Sequence, residues 1–213
     1  MKKTILMVAL ITCACFTFAQ SDKYESAMKA NVAQLDSLMA KNNYQELANN
    51  FTRIGDAEKT QWLPYYYAAF CYATEAMSEK DNSKKDAIAD KASAQITNAE
   101  TILGKENSET DVIKAMIATA HMTVDPQNRY MTYGAAISEN IKKAETLDPT
   151  NPRPVLFEAE NKYFTPEAYG GGKSAAKNLF DKAKQLFDTF KPESDISPNW
   201  GKLSLNYFLS QYK

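Results

Sequence analysis

Residues 137–152 read Ile-Ser-Glu-Asn-Ile-Lys-Lys-Ala-Glu-Thr-Leu-Asp-Pro-Thr-Asn-Pro, and this stretch decides the fold. Ile137, Ile141 and Ala144 are spaced by four and then three residues, which puts them on one face of a helix. Pro149 stops that helix. The same spaced trio recurs as Ala92/Ile96/Ala99 and Ala176/Phe180/Ala183, and more loosely as Leu47/Phe51/Ile54. The last members, at positions 54, 99, 144 and 183, fall 45, 45 and 39 residues apart. A motif returning at that interval marks a helical repeat array, in which each unit buries its apolar face only against its neighbours.

Between the trios lie candidate partner helices. Tyr65-x2-Ala68-Ala69-x2-Tyr72 matches Trp200-x2-Leu203-Ser204-x2-Tyr207, and Leu156-x2-Ala159-x3-Tyr163 is a weaker third copy. Small residues in these stripes let helix backbones approach closely, and the aromatics fill the space that remains. These patterns resemble the first helix of the tetratricopeptide repeat, W-x2-L-G-x2-Y, and the trios resemble its second. The resemblance implies an all-α helical-hairpin solenoid of about four helix pairs plus a C-terminal capping helix. Its units are longer than the usual period of about 34 residues.

Breaks at Asn42-Asn43, Asp81-Ser83 and Asp125-Asn128 divide the chain into expected helices at 22–40, 43–55, 61–78, 84–103, 108–122, 130–147, 153–164, 173–190 and 198–212. Gly104 reads as a helix C-cap, and Ser108-Glu-Thr-Asp111 as a capping-box start. In the last helix Trp200, Leu203, Tyr207 and Phe208 are expected to face the preceding pair and seal the core.

The first nineteen residues are set apart from the fold. Lys2 and Lys3, an apolar run from Ile5 to Phe16, and Thr17-Phe18-Ala19 before Gln20 form a secretory signal peptide. The run is too short for the roughly 20 residues of a transmembrane helix. Its ending, FTFAQ, resembles export signals of Bacteroidetes-type bacteria. The expected mature protein is therefore a single repeat domain at 20–213, periplasmic or at the cell envelope. A lipid anchor on Cys13, within the lipobox-like Leu10-Ile11-Thr12-Cys13, is the alternative. Cleavage at Ala19 leaves Cys71 as the sole thiol, so no internal disulfide can form and stability must come from packing. The formal net charge is −1 with no block of like charges, which gives no footprint for nucleic acid.

Catalytic motifs are missing. Gly170-Gly-Gly-Lys-Ser174 ends like a P-loop, but the motif's first glycine falls on Glu167 and no strand precedes it. A turn between helices is the simpler reading, with Lys173 opening the next helix. His121 is the only histidine, and one His with one mature Cys falls short of a zinc site. No cofactor or metal is expected, and no enzyme activity.

The aromatic run at 65–72 is the functional candidate. In tetratricopeptide arrays the first helices line the concave groove, which by resemblance places Tyr66, Phe70, Phe157, Asn161 and Phe164 there. Aromatic residues in a groove serve recognition at low entropy cost; in the core they serve packing alone. Two functions follow from the groove reading. One is a non-catalytic exported scaffold for a protein or peptide partner. The alternative is a small-ligand-binding module, an accessory to solute uptake, using the same groove.

Overall fold

The computed structural model describes residues 22–212, apart from the side chain of Met39; the export segment and Cys13 lie outside them. Every regular element among the described residues is helical. In order these are α1 (22–32), α2 (Leu35–Met39), α3 (Tyr44–Glu58), α4 (Leu63–Ser78), α5 (Asn82–Leu103), α6 (Ser108–Val124), α7 (Pro126–Arg129), a π turn (Tyr130–Gly134), α8 (Ala135–Leu147), α9 (Pro152–Phe164), α10 (Lys173–Thr189) and α11 (Lys202–Ser210).

Two rows of helices pack against each other. Helices α4, α6 and α9 touch in sequence and form one row; α3, α5, α8 and α10 form the other, each packed on its row-mates' partners. Ser204 donates to Glu160, and the Phe164 ring lies 5.8 Å from Phe208, so α11 continues the first row beside α9. The trios hold these rows together. Ala92, Ile96, Ala99, Ile137, Ile141, Ala144, Ala176, Phe180 and Ala183 are all buried, as are Leu47 and Phe51, whereas Ile54 is half-buried. Close approach is visible at Gly55, where a Cβ would meet the Tyr65 ring at 2.8 Å. Tyr65 and Tyr72 both face α3, bonding Asp56 at 3.1 Å and Asn49 at 3.2 Å.

Local chemistry adjusts several expected boundaries. The first helix breaks at Ala33-Gln34. The cap of α6 is Asn107, whose extended backbone lets its side chain accept from the Glu109 amide at 2.7 Å. Ser108 is then free to bond the Ala144 carbonyl at 2.8 Å. The expected helix at 130–147 begins as a π turn, with the Tyr130 ring closing over Gly134. Gly104 does cap α5 with a left-handed backbone, φ 64°. The glycine loop is a turn: Gly172, at φ 95°, sends its amide to the Lys162 carbonyl at 2.9 Å, and Lys173 is the first residue of α10.

The C-terminal helix packs in a different register from the expected one. Leu205 and Phe208 are buried against Val155, Phe180 and Phe187, with Leu209 and Tyr212 partly buried beside them. Phe208 stacks on Phe180 at 4.9 Å and 15°. Leu203 and Tyr207, expected to point inward, are 61% and 62% exposed. The physical reason lies at Gly201, whose φ of 110° starts the helix afresh. Trp200 sits before that turn and cannot set the helical phase.

Candidate functional site

The segment 190–201, between α10 and α11, does not stay at its own end of the molecule. It crosses to α4 and α1 and returns. The Tyr67 hydroxyl donates to the Ile196 carbonyl at 3.0 Å, and Lys29 pairs with Asp195 at 3.2 Å. The Trp200 ring stacks on Phe70 at 4.4 Å and 23°, and its indole N–H donates to the Tyr66 hydroxyl at 2.8 Å. Arg153, fully buried, donates to the Pro198 carbonyl and lies 4.6 Å over the Phe190 ring.

Beneath this strap lies a polar network. Tyr66 donates its own hydroxyl to Glu109 Oε2 at 2.7 Å, while Asn151 donates to Glu109 Oε1 at 2.9 Å and Arg153 stands 3.3 Å from the same oxygen. Burial pushes the Glu109 carboxyl above its ordinary range, against the downward pull of Arg153, Tyr66 and Asn151. Burial likewise drives the Tyr66 phenol well up. A paired, hydrogen-bonded charge is how a folded interior tolerates an arginine. The network is a clamp: it ties the starts of α6 and α9 to α4 and to the strap.

The five residues expected in the groove divide accordingly. Tyr66, Phe70 and Phe157 are buried, the first two directly under Trp200. Asn161 is half-buried and within 3.5 Å of the Thr119 hydroxyl. Phe164 alone is open, at 72% exposure. Sequence reasoning missed the open companions of Phe164, namely Leu203 and Tyr207. Phe164 and Tyr207 both sit edge-on to Phe208, at 5.8 and 5.3 Å, so their rings are no more than about 11 Å apart. With Leu203 they are the exposed apolar side chains at the junction of α9 and α11, which makes that junction a candidate binding surface.

His121 belongs to a separate clasp. Its Nδ1 is 2.7 Å from Asp86, its Nε2 3.6 Å from Asp90, and its ring stacks on Tyr133 at 5.2 Å. Arg129 grips Asp86 with two bonds, at 2.7 and 2.9 Å, which together with His121 hold that carboxyl down to about 2. The Nδ1 contact to Asp86 and the stack on Tyr133 make the ring a fastener for the π turn. Among the described residues no group of three or more His, Cys, Asp or Glu side chains is placed to hold a metal ion. No described helix is long and apolar enough to cross a membrane.

A third feature is a groove between α1 and α3, of about 770 Å³, lined by Tyr24, Ala27, Asn31, Arg53 and Ile54 among others.

No family model and no curated protein matches the chain. Among solved structures it is similar to the HusA haemophore from Porphyromonas gingivalis, with a TM-score of 0.78 and 31% identity, over 89% of this chain and 92% of that one. Identity at that level across nearly the whole of both chains shows common descent as well as common shape: the protein belongs to the family of the HusA haemophore.

Proposed function

We propose that this protein is an exported, non-catalytic small-ligand-binding module built of tetratricopeptide-like hairpins, and that its ligand is haem. The observation that carries the reading is the exposed face of Phe164, Leu203 and Tyr207 in a chain whose relative is a haemophore. Haem is a flat apolar disc with two carboxylates on one edge. Large aromatic side chains bury area against such a disc at little conformational cost. Tyr207 adds a phenol to the same face, a group that holds haem iron in some proteins. Lys202, next to Leu203 and exposed, supplies a cation for the carboxylate edge.

The strap weighs against the scaffold reading. An extended peptide lying along the first row of helices would need the surface of Tyr66 and Phe70, and Trp200 already covers it. Phe164, Leu203 and Tyr207 stay open beyond the strap, which favours a small molecule at the α9–α11 junction. The signal-like segment at 1–19 supports export, as does kinship with a haemophore. Haemin added to the mature protein should produce a saturable shift of the Soret band. An unshifted, unsaturated titration would remove haem as the ligand.

A further inference from the structure

The groove between α1 and α3 has no part in the haem reading, and its chemistry is different. Tyr24 of α1 and Glu58 of α3 line the groove together, and the carboxylate is close enough to act on the phenol. The groove's polar lining includes Tyr24 and Glu58, and also Arg53, which bonds Asn50. Ala27 and Ile54 are part of its apolar lining. The volume of about 770 Å³ falls inside the range of roughly 300–1,000 Å³ typical of small-molecule sites.

Two observations point to a ligand. First, Tyr24 is 8% exposed, and its hydroxyl is buried without a hydrogen-bond partner. Burial, with Glu58 adding to it, pushes the phenol up to about 12, so it stays protonated and remains a donor in want of an acceptor. Second, among the described residues the Arg53 guanidinium bonds the neutral amide of Asn50 alone, and an acceptor-only anion would satisfy its remaining donors. Arg53 also borders a second hollow of about 420 Å³.

From this arrangement we infer that the α1–α3 groove is a second ligand site, taking an organic carboxylate with a flat apolar body: the carboxylate at Arg53, the body on Ala27 and Ile54, and a carbonyl or similar acceptor near Tyr24. The inference does not depend on haem binding at α9 and α11.

The probe is 4-benzoylbenzoate, which carries a carboxylate, two rings and a photoreactive ketone. Irradiation with the mature protein, followed by peptide mass spectrometry, should place the adduct within 23–34 or 50–58. The neutral 4-benzoylbenzamide, and the charge reversal Arg53→Glu, should each cut labelling at least about fivefold, whereas Arg53→Lys should retain most of it. Tyr24→Phe should weaken labelling without lowering the melting temperature, since the lost hydroxyl has no partner in the free protein. Arg53 is on the surface, so its variants are expected to fold, which circular dichroism checks. Labelling confined to 160–210, equal labelling by the amide, or indifference to Arg53→Glu would each overturn the site.

Discussion

Trp200 donates its indole N–H to the hydroxyl of Tyr66 at 2.8 Å, joining residues 134 positions apart in the chain. The same indole stacks on Phe70, and Tyr66 relays the bond to Glu109. One residue outside any helix thus links the C-terminal strap to α4 and α6. Its removal should be felt by the whole array. Trp200→Phe keeps the stack and loses the hydrogen bond, at about 1–2 kcal/mol. Trp200→Ala loses both, at about 3–5 kcal/mol. Urea unfolding of the two variants checks the order and the gap.

Ala144 is fully buried, and its carbonyl accepts from Ser108. Leucine there would force α8 away from α6, costing roughly 1–3 kcal/mol of overpacking. The measurement is a thermal midpoint. An unchanged value would mean the close approach of these helices is not needed.

Glu160 receives a bond from Ser204 at the junction of α9 and α11, and burial lifts its carboxyl to about 7. The folded state therefore holds the proton more tightly than the unfolded chain, whose glutamate titrates near 4.5. Stability from this group is complete below about pH 4.5 and declines as pH rises through 7. Glu160→Gln should remove that decline. The difference between variant and parent in urea unfolding should change by about 2–3 kcal/mol between pH 5 and pH 8, the variant gaining as pH rises.

Deletion of 202–213 takes away Leu205 and Phe208 and bares Phe180 and Phe187. The shortened protein should melt lower and associate, by light scattering, because a contiguous apolar face drives self-contact.

The helices were legible because their signal is local. Ile137, Ile141 and Ala144 announce a buried face by spacing alone, and each is buried. Gly104 announced a helix end for the same reason, since a left-handed backbone there suits glycine. The strap carried no such signal: Tyr67 meets Ile196 across 129 residues and Trp200 meets Tyr66 across 134, and neither pairing has a period. The aromatic run at 65–72 therefore looked richer than a core stripe needs. Its surplus, Tyr66 and Phe70, turned out to be spoken for by Trp200. The open face was hidden for a different reason. Trp200-Leu203-Tyr207 copies the spacing of Tyr65-Ala68-Tyr72, yet Leu205, Phe208, Leu209 and Tyr212 have that same spacing and are the residues that pack. Two registers fit one pattern, and only the restart at Gly201 chooses between them.

If Phe164 and Tyr207 hold haem, a haemin titration of the double variant Phe164→Ser/Tyr207→Ser will separate it from the parent. Both side chains are more than 60% exposed, so the variant is expected to keep the parent's circular dichroism and melting curve. The parent should show a saturable Soret shift at one haemin per chain. The variant should bind at least about tenfold more weakly, a loss of ~1.4 kcal/mol or more. A parent that does not bind haemin would contradict the function, and a variant that binds as tightly as the parent would contradict the site.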